Sequence, residues 1–135
     1  MKFRIISSKN EILDLNQNER MVHLAFRPSN MDFVNLMNRC PRLRAIQIPP
    51  SYNKTVSKAV IPFLEMQGIE LLEGDVWGHR KDIDEYYVID LTTLEEIDAL
   101  ISKGVNIKET VVQIQAKSRL PPDLIKYIAK TKITT

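Results

Sequence analysis

The chain of 135 residues contains one cysteine, one tryptophan, two histidines and four glycines. A single thiol, Cys40, excludes an intramolecular disulfide and any multi-cysteine metal cluster. Its place among apolar helical residues disfavours the thiolate that a nucleophile requires. The glycines fall into no Gly-x-Gly-x-x-Gly or phosphate-loop spacing, so the common nucleotide fingerprints are absent. No apolar run approaches the roughly 20 residues needed to cross a bilayer. Met1-Lys2-Phe3-Arg4 passes directly into a strand-like pattern rather than an apolar leader, so a soluble cytoplasmic protein with no membrane partner is expected. There is no catalytic triad by spacing. The sequence names no catalytic residue, metal or cofactor, and leaves open whether the protein is an enzyme, with the balance toward a non-enzyme.

What is present is unevenly charged. The formal net charge is +2. Residues 1–90 hold twelve basic and twelve acidic side chains, whereas residues 103–135 hold Lys103, Lys108, Lys117, Arg119, Lys126, Lys130 and Lys132 against Glu109 and Asp123. Such an asymmetry points to an acidic or nucleic-acid partner. Lysines kept for solubility are the plainer account.

Short apolar runs alternate with helical patterns along residues 1–91. Phe3-Arg4-Ile5-Ile6 reads as a strand, and Ser8 with Glu11 has capping-box spacing before a helix containing Ile12, Leu13 and Leu15. Met21-Val22-His23-Leu24-Ala25-Phe26 is a second strand, with His23 inside it as a structural histidine. Pro28-Ser29-Asn30 then caps a helix whose apolar positions are Phe33, Val34, Met37 and Cys40. The third unit repeats the second: Leu43-Arg44-Ala45-Ile46-Gln47-Ile48, then Pro49-Pro50-Ser51-Tyr52-Asn53, then a helix burying Val56, Val60, Phe63 and Leu64 and kinked by Pro62. Gly68 stops that helix, and Ile69-Glu70-Leu71-Leu72-Glu73 is the fourth strand. Tyr86-Tyr87-Val88-Ile89 has strand composition, and the loop from strand four predicts an antiparallel neighbour at an edge. The sequence therefore predicts an α/β fold with a mainly parallel four- or five-stranded sheet, flavodoxin- or Rossmann-like in three layers.

From residue 92 only helical patterns remain. Thr92 and Glu95 have capping-box spacing before Leu94, Ile97 and Leu100, and Gly104 ends that helix. Asn106 and Glu109 open a second helix, and Pro121-Pro122-Asp123 a third. The predicted division is a sheet domain at 1–91 and a helical extension at 92–135.

Three runs carry a resemblance: His23-Leu24-Ala25-Phe26-Arg27-Pro28-Ser29-Asn30, Ile48-Pro49-Pro50-Ser51-Tyr52, and the stretch through Gln67-Gly68-Ile69, Gly74-Asp75-Val76-Trp77-Gly78 and His79-Arg80. In these the chain resembles an uncharacterised family of small proteins from methanogenic archaea, which implies such an origin and no particular activity. Residues 40–72 are also similar in pattern to the first, flavodoxin-like domain of D-2-hydroxyacid dehydrogenases, without that family's nucleotide fingerprint.

In a parallel sheet the strand-to-helix loops gather at the carboxyl ends of the strands, where ligands bind. Those loops offer Arg27, Ser29, Asn30, Ser51, Tyr52, Asn53, Lys54, Trp77, His79 and Arg80. Helix N-termini beside such cations predict a pocket for a small anionic metabolite bearing phosphate or carboxylate. Caps and solvated cations are the competing account. His79, flanked by Trp77, Arg80 and Asp82, is the strongest single candidate for acid–base or hydrogen-bonding work. Asp75, His79, Asp82, Asp84 and Glu85 match no metal-ligand spacing. The different-class alternative is a nucleic-acid-binding regulator in which the last two helices form a helix-turn-helix, with Arg119, Lys126 and Lys130 on phosphates. Against it stand Gln115, where a small residue is usual, and Arg119, where a turn glycine is usual. A homo-oligomeric assembly protein is the third reading.

Overall fold

Leu24 and Ile46 lie in runs apolar enough to be buried on both sides, and strands of that kind belong to parallel sheets. A computed structural model, describing residues 1–76 and 85–134, bears this out. Strands β1 (Lys2–Ile6), β2 (Met21–Leu24), β3 (Ala45–Ile48) and β4 (Glu70–Glu73) are mutually parallel, and β5 (Tyr86–Val88) completes the order β4-β3-β2-β1-β5. The chain divides into two compact units, Met1–Tyr87 and Val88–Thr135.

Because β1 to β4 are added in one direction, right-handed crossovers send every connection to the same face. The 3-10 helix Lys9–Asp14, α1 (Asn30–Arg39) and α3 (Val60–Met66) supply Ile12, Leu15, Phe33, Leu36, Val60 and Leu64 to a core completed by Ile6, Val22, Leu24, Ile46 and Ile48. A fourth helix, α2 (Pro50–Asn53), is a single turn.

Three local expectations need correction. Pro62 does not kink a long helix: it is the third residue of α3, in the first turn, where its missing N–H costs no hydrogen bond. Because α3 begins only at Val60, Phe63 turns outward and is exposed. Thr92 and Glu95 form no cap, because α4 (Leu91–Ser102) starts one residue earlier, after Asp90. The largest change concerns β5, which lies beside β1 and not beside the preceding β4. The Ile5 N–H donates to the Glu85 carbonyl at 2.8 Å, and Phe3 stacks on Tyr87 at 6.5 Å, so the two strands run in opposite senses. On the other face Lys2 and Arg4 lie 4.2 and 5.8 Å from the Tyr86 ring, Arg4 pairs with Glu85 at 3.3 Å, and the Tyr86 hydroxyl donates to Glu19. β1 thus offers cations to β5, whereas β4 offers the exposed carboxylates Glu70 and Glu73.

The second unit contains α4, α5 (Ile107–Lys117) and α6 (Pro122–Thr134), which pack on one another. The Asn106 side chain accepts from the Glu109 N–H, as its spacing predicts. No helix among the described residues is long and apolar enough to cross a membrane.

Gly68 (φ +73°) and Gly104 (φ +84°) end α3 and α4 with the same device. After each, the next N–H reaches back to the first carbonyl of the last turn, Ile69 to Leu64 and Val105 to Leu100. A Cβ at either site meets nothing within 4 Å, so only the left-handed backbone is penalised. Gly68→Ala and Gly104→Ala are expected to cost about 1–2 kcal/mol each in urea unfolding, with Asn better tolerated. Tyr86 gives a pH signature. The hydrogen bond to Glu19, then burial, push its phenol up to about 12. The folded state holds this proton more tightly than the unfolded chain, whose value is about 10. That stabilisation is complete below about pH 10 and disappears as pH rises through about 12. Ultraviolet titration should show a late tyrosine ionisation that is absent in Tyr86→Phe.

Candidate functional site

At the carboxyl edge the loops after β2 and β3 hold the described residues expected of an anion pocket. Ser29 caps α1: its hydroxyl accepts from the Asp32 N–H at 3.3 Å, and the Asp32 carboxylate accepts from the Ser29 N–H at 2.8 Å. At the preceding connection Glu11 accepts from the N–H groups of both Ser7 and Ser8. The third connection opens with Pro49-Pro50, which brings no N–H at either position. At the first two connections the chain's own carboxylates thus place negative charge at the helix start. Asn30 is exposed in the first turn of α1. The Arg27 guanidinium donates to the Thr55 hydroxyl and lies 5.2 Å from the Tyr52 ring. Asn53 donates to Glu73 at 3.1 Å, and Ser51 and Lys54 are exposed. The structure thus brings together Arg27 with Tyr52, and Asn53 with Glu73. Trp77, His79 and Arg80 lie outside the described residues, as do Asp82 and Asp84. Among the described residues no three His, Cys, Asp or Glu side chains are grouped to hold a metal ion.

The sheet interior holds a polar pair that the sequence only half disclosed. His23 and Gln47 occupy paired positions of β2 and β3, and both are fully buried. Gln47 Nε2 is 3.1 Å from His23 Nδ1, and His23 Nε2 is 3.6 Å from Asp75 Oδ1. An amide N–H pointing at Nδ1 leaves the imidazole proton on Nε2, toward the carboxylate. Among the described residues Gln47 Oε1 has no hydrogen-bond partner. Gln47 escaped sequence reading because nothing local marks it. Its signal is a polar residue flanked by isoleucines, matched across the register to His23 inside the neighbouring strand. Cys40 is buried at the end of α1, and burial first, then Glu19, push its thiol up against the opposing Arg39. Its Sγ–H donates to the Asn16 carbonyl at 3.4 Å, an anchoring role.

In the helical unit, Ile97, Thr110, Val111, Ile114, Leu120, Leu124, Ile125, Ile128 and Ala129 are buried. Arg119, Lys126 and Lys130 are exposed. Both objections to a helix-turn-helix lose their force. Gln115 is exposed, and the inward positions of α5 are Thr110, Val111 and Ile114, so no small residue is required at 115. Thr110 is accommodated because its hydroxyl donates to the Asn106 carbonyl at 2.9 Å. No described non-glycine residue has positive φ, so the turn Ser118-Arg119-Leu120-Pro121 needs no glycine. Ser118 closes that turn: its N–H and hydroxyl both reach the Ile114 carbonyl at 2.9 Å, and its oxygen accepts from the Leu120 N–H.

A parallel sheet unit with its crossover helices on one face, followed by three helices of which the last two are joined by a four-residue turn, defines an α/β protein with a C-terminal helix-turn-helix domain. The family of unknown function DUF1699 matches in both parts, its N-terminal domain over residues 2–85 and its C-terminal HTH domain over residues 92–130. The chain belongs to that family. No curated protein and no solved structure matches it.

If Ser29 serves the fold, Ser29→Ala should lower stability by about 1 kcal/mol. Ser51→Ala, at an exposed position, should stay within about 0.5 kcal/mol. Thermal melts of the two variants compare them directly.

Proposed function

We propose that the protein binds duplex nucleic acid through its helix-turn-helix unit. The carrying observation is the polarity of α6: Leu124, Ile125, Ile128 and Ala129 are fully buried, while Lys126 and Lys130 stand exposed one turn apart and Arg119 precedes them in the turn. Four residues along a helix advance about 6 Å, within the spacing over which a groove presents phosphates. Arginine and lysine contacts of this kind supply affinity and register rather than sequence choice. α6 carries no Asn, Gln or Arg, the side chains that most often read base edges. The function that follows is backbone-dominated duplex binding with weak sequence preference.

The anionic-metabolite reading of the sheet unit has less support. Glu11 and Asp32 bring negative charge to two of the helix starts it relied on, and Arg27 is engaged by Tyr52 and Thr55. A ligand at that edge would have to displace these contacts.

Filter binding of the full chain to a random-sequence duplex tests the proposal. Affinity should fall with salt at a log–log slope of about −0.9 per phosphate neutralised, and Lys126→Gln or Lys130→Gln should each reduce the slope by about one. No binding at low salt would remove the proposal.

A further inference from the structure

We propose that the amino-end edge of the sheet is a second nucleic-acid contact, in which Lys2, Arg20 and Arg44 hold successive phosphates of one strand. The register places them in a row. Arg4 pairs with Val22, so two residues earlier Lys2 stands beside Arg20. Met21 pairs with Ala45, so one residue earlier Arg20 stands beside Arg44. The backbone continues this pairing: the N–H groups of Arg44 and Ala45 both donate to the Arg20 carbonyl, at 2.7 and 3.2 Å. All three side chains are exposed, as is Arg42 in the turn before β3. Lys2 lies over the Tyr86 ring, 4.2 Å from its centre, which holds it at this edge.

Like charges at neighbouring register positions repel, so the row costs the fold stability. Among the described residues no carboxylate forms an ion pair with any of the three cations. Glu19, next to Arg20, is nearly buried and bonded to the Tyr86 hydroxyl. Glu70 begins β4, one strand beyond Arg44, and Asp14 ends the 3-10 helix. Neither forms an ion pair with Arg20 or Arg44. Adjacent strands are about 4.8 Å apart, so the row spans about 10 Å. One nucleic-acid strand carries a charge every ~3.4 Å along the axis, so about three phosphates match that length. Two guanidiniums suit the match, because their planar donor forks take phosphate oxygens in pairs. This surface lies on the sheet unit and is independent of α6. Together they make the chain bivalent, with the second contact strengthened by tethering to the first.

The test is fluorescence anisotropy of labelled duplex DNA and single-stranded RNA against salt concentration, using the full chain. Lys2→Gln/Arg20→Gln/Arg44→Gln should weaken binding tenfold or more at low salt and lower the salt slope by about two to three, with a melting temperature equal to or above wild type. Arg20→Lys/Arg44→Lys should keep the slope while losing part of the affinity. Lys126→Gln/Lys130→Gln should leave the row's share of binding intact, so failure of α6 and failure of the row are read separately. Wild-type affinity and slope in the triple variant would overturn the proposal. So would a loss of melting temperature that accounts for the lost binding. So would binding to vesicles of phosphatidylserine, lost in the triple variant, with no binding to either nucleic acid.

Discussion

A slip of β3 by one residue against β2 would exchange every side chain of β3 between the two faces of the sheet. With β3 moved against β2, Ile46 and Ile48 would leave the helix-covered core and Gln47 would enter it beside Val22 and Leu24. The observed register is therefore strongly specified by burial, and two separate features follow from it. It brings the amide of Gln47 to the imidazole of His23. It brings Arg20 beside Lys2 and Arg44. The matching register of β1 on β2 sets Lys2 and Arg4 on the face where Tyr86 packs, at the β1 edge that β5 occupies. Apolar packing pays for the register, and the polar and charged juxtapositions are its by-products.

The helix starts at the carboxyl edge show how local capping can pre-empt a ligand. A serine followed three residues later by an acid closes a reciprocal pair of hydrogen bonds, and the acid brings negative charge to the positive end of the helix. Ser8 with Glu11 and Ser29 with Asp32 do this at two successive connections. The motif that announces where a helix begins is the same motif that reduces the attraction of that place for an anion.

The sequence disclosed what depends on neighbours and concealed what depends on register. Four parallel strands, the glycine stops at Gly68 and Gly104 and the Asn106 cap follow from composition and spacing over a few residues. The place of β5 does not, because Tyr-Tyr-Val specifies a strand and says nothing of which edge receives it. Pro62 misled because its effect depends on where α3 begins, and that start is set by the turn through Ser57 and not by the proline. For the candidate sites, Arg119, Lys126 and Lys130 were legible as a basic cluster within one short segment. Lys2, Arg20 and Arg44 are far apart in the chain, each an ordinary polar residue before an apolar run, and only strand pairing assembles them.

β5 pairs with one edge of the sheet, and among the described residues no strand pairs beyond β4 at the other. A bare strand invites a second chain to extend it. Here Glu70 and Glu73 flank Leu71-Leu72, so a copy approaching about a two-fold axis would set each Glu70 against the other chain's Glu73. Two like-charge pairs would then form at the ends of a four-residue ladder. Like charges directly opposite one another disfavour that pairing, so the two glutamates guard this strand against extension by a second copy.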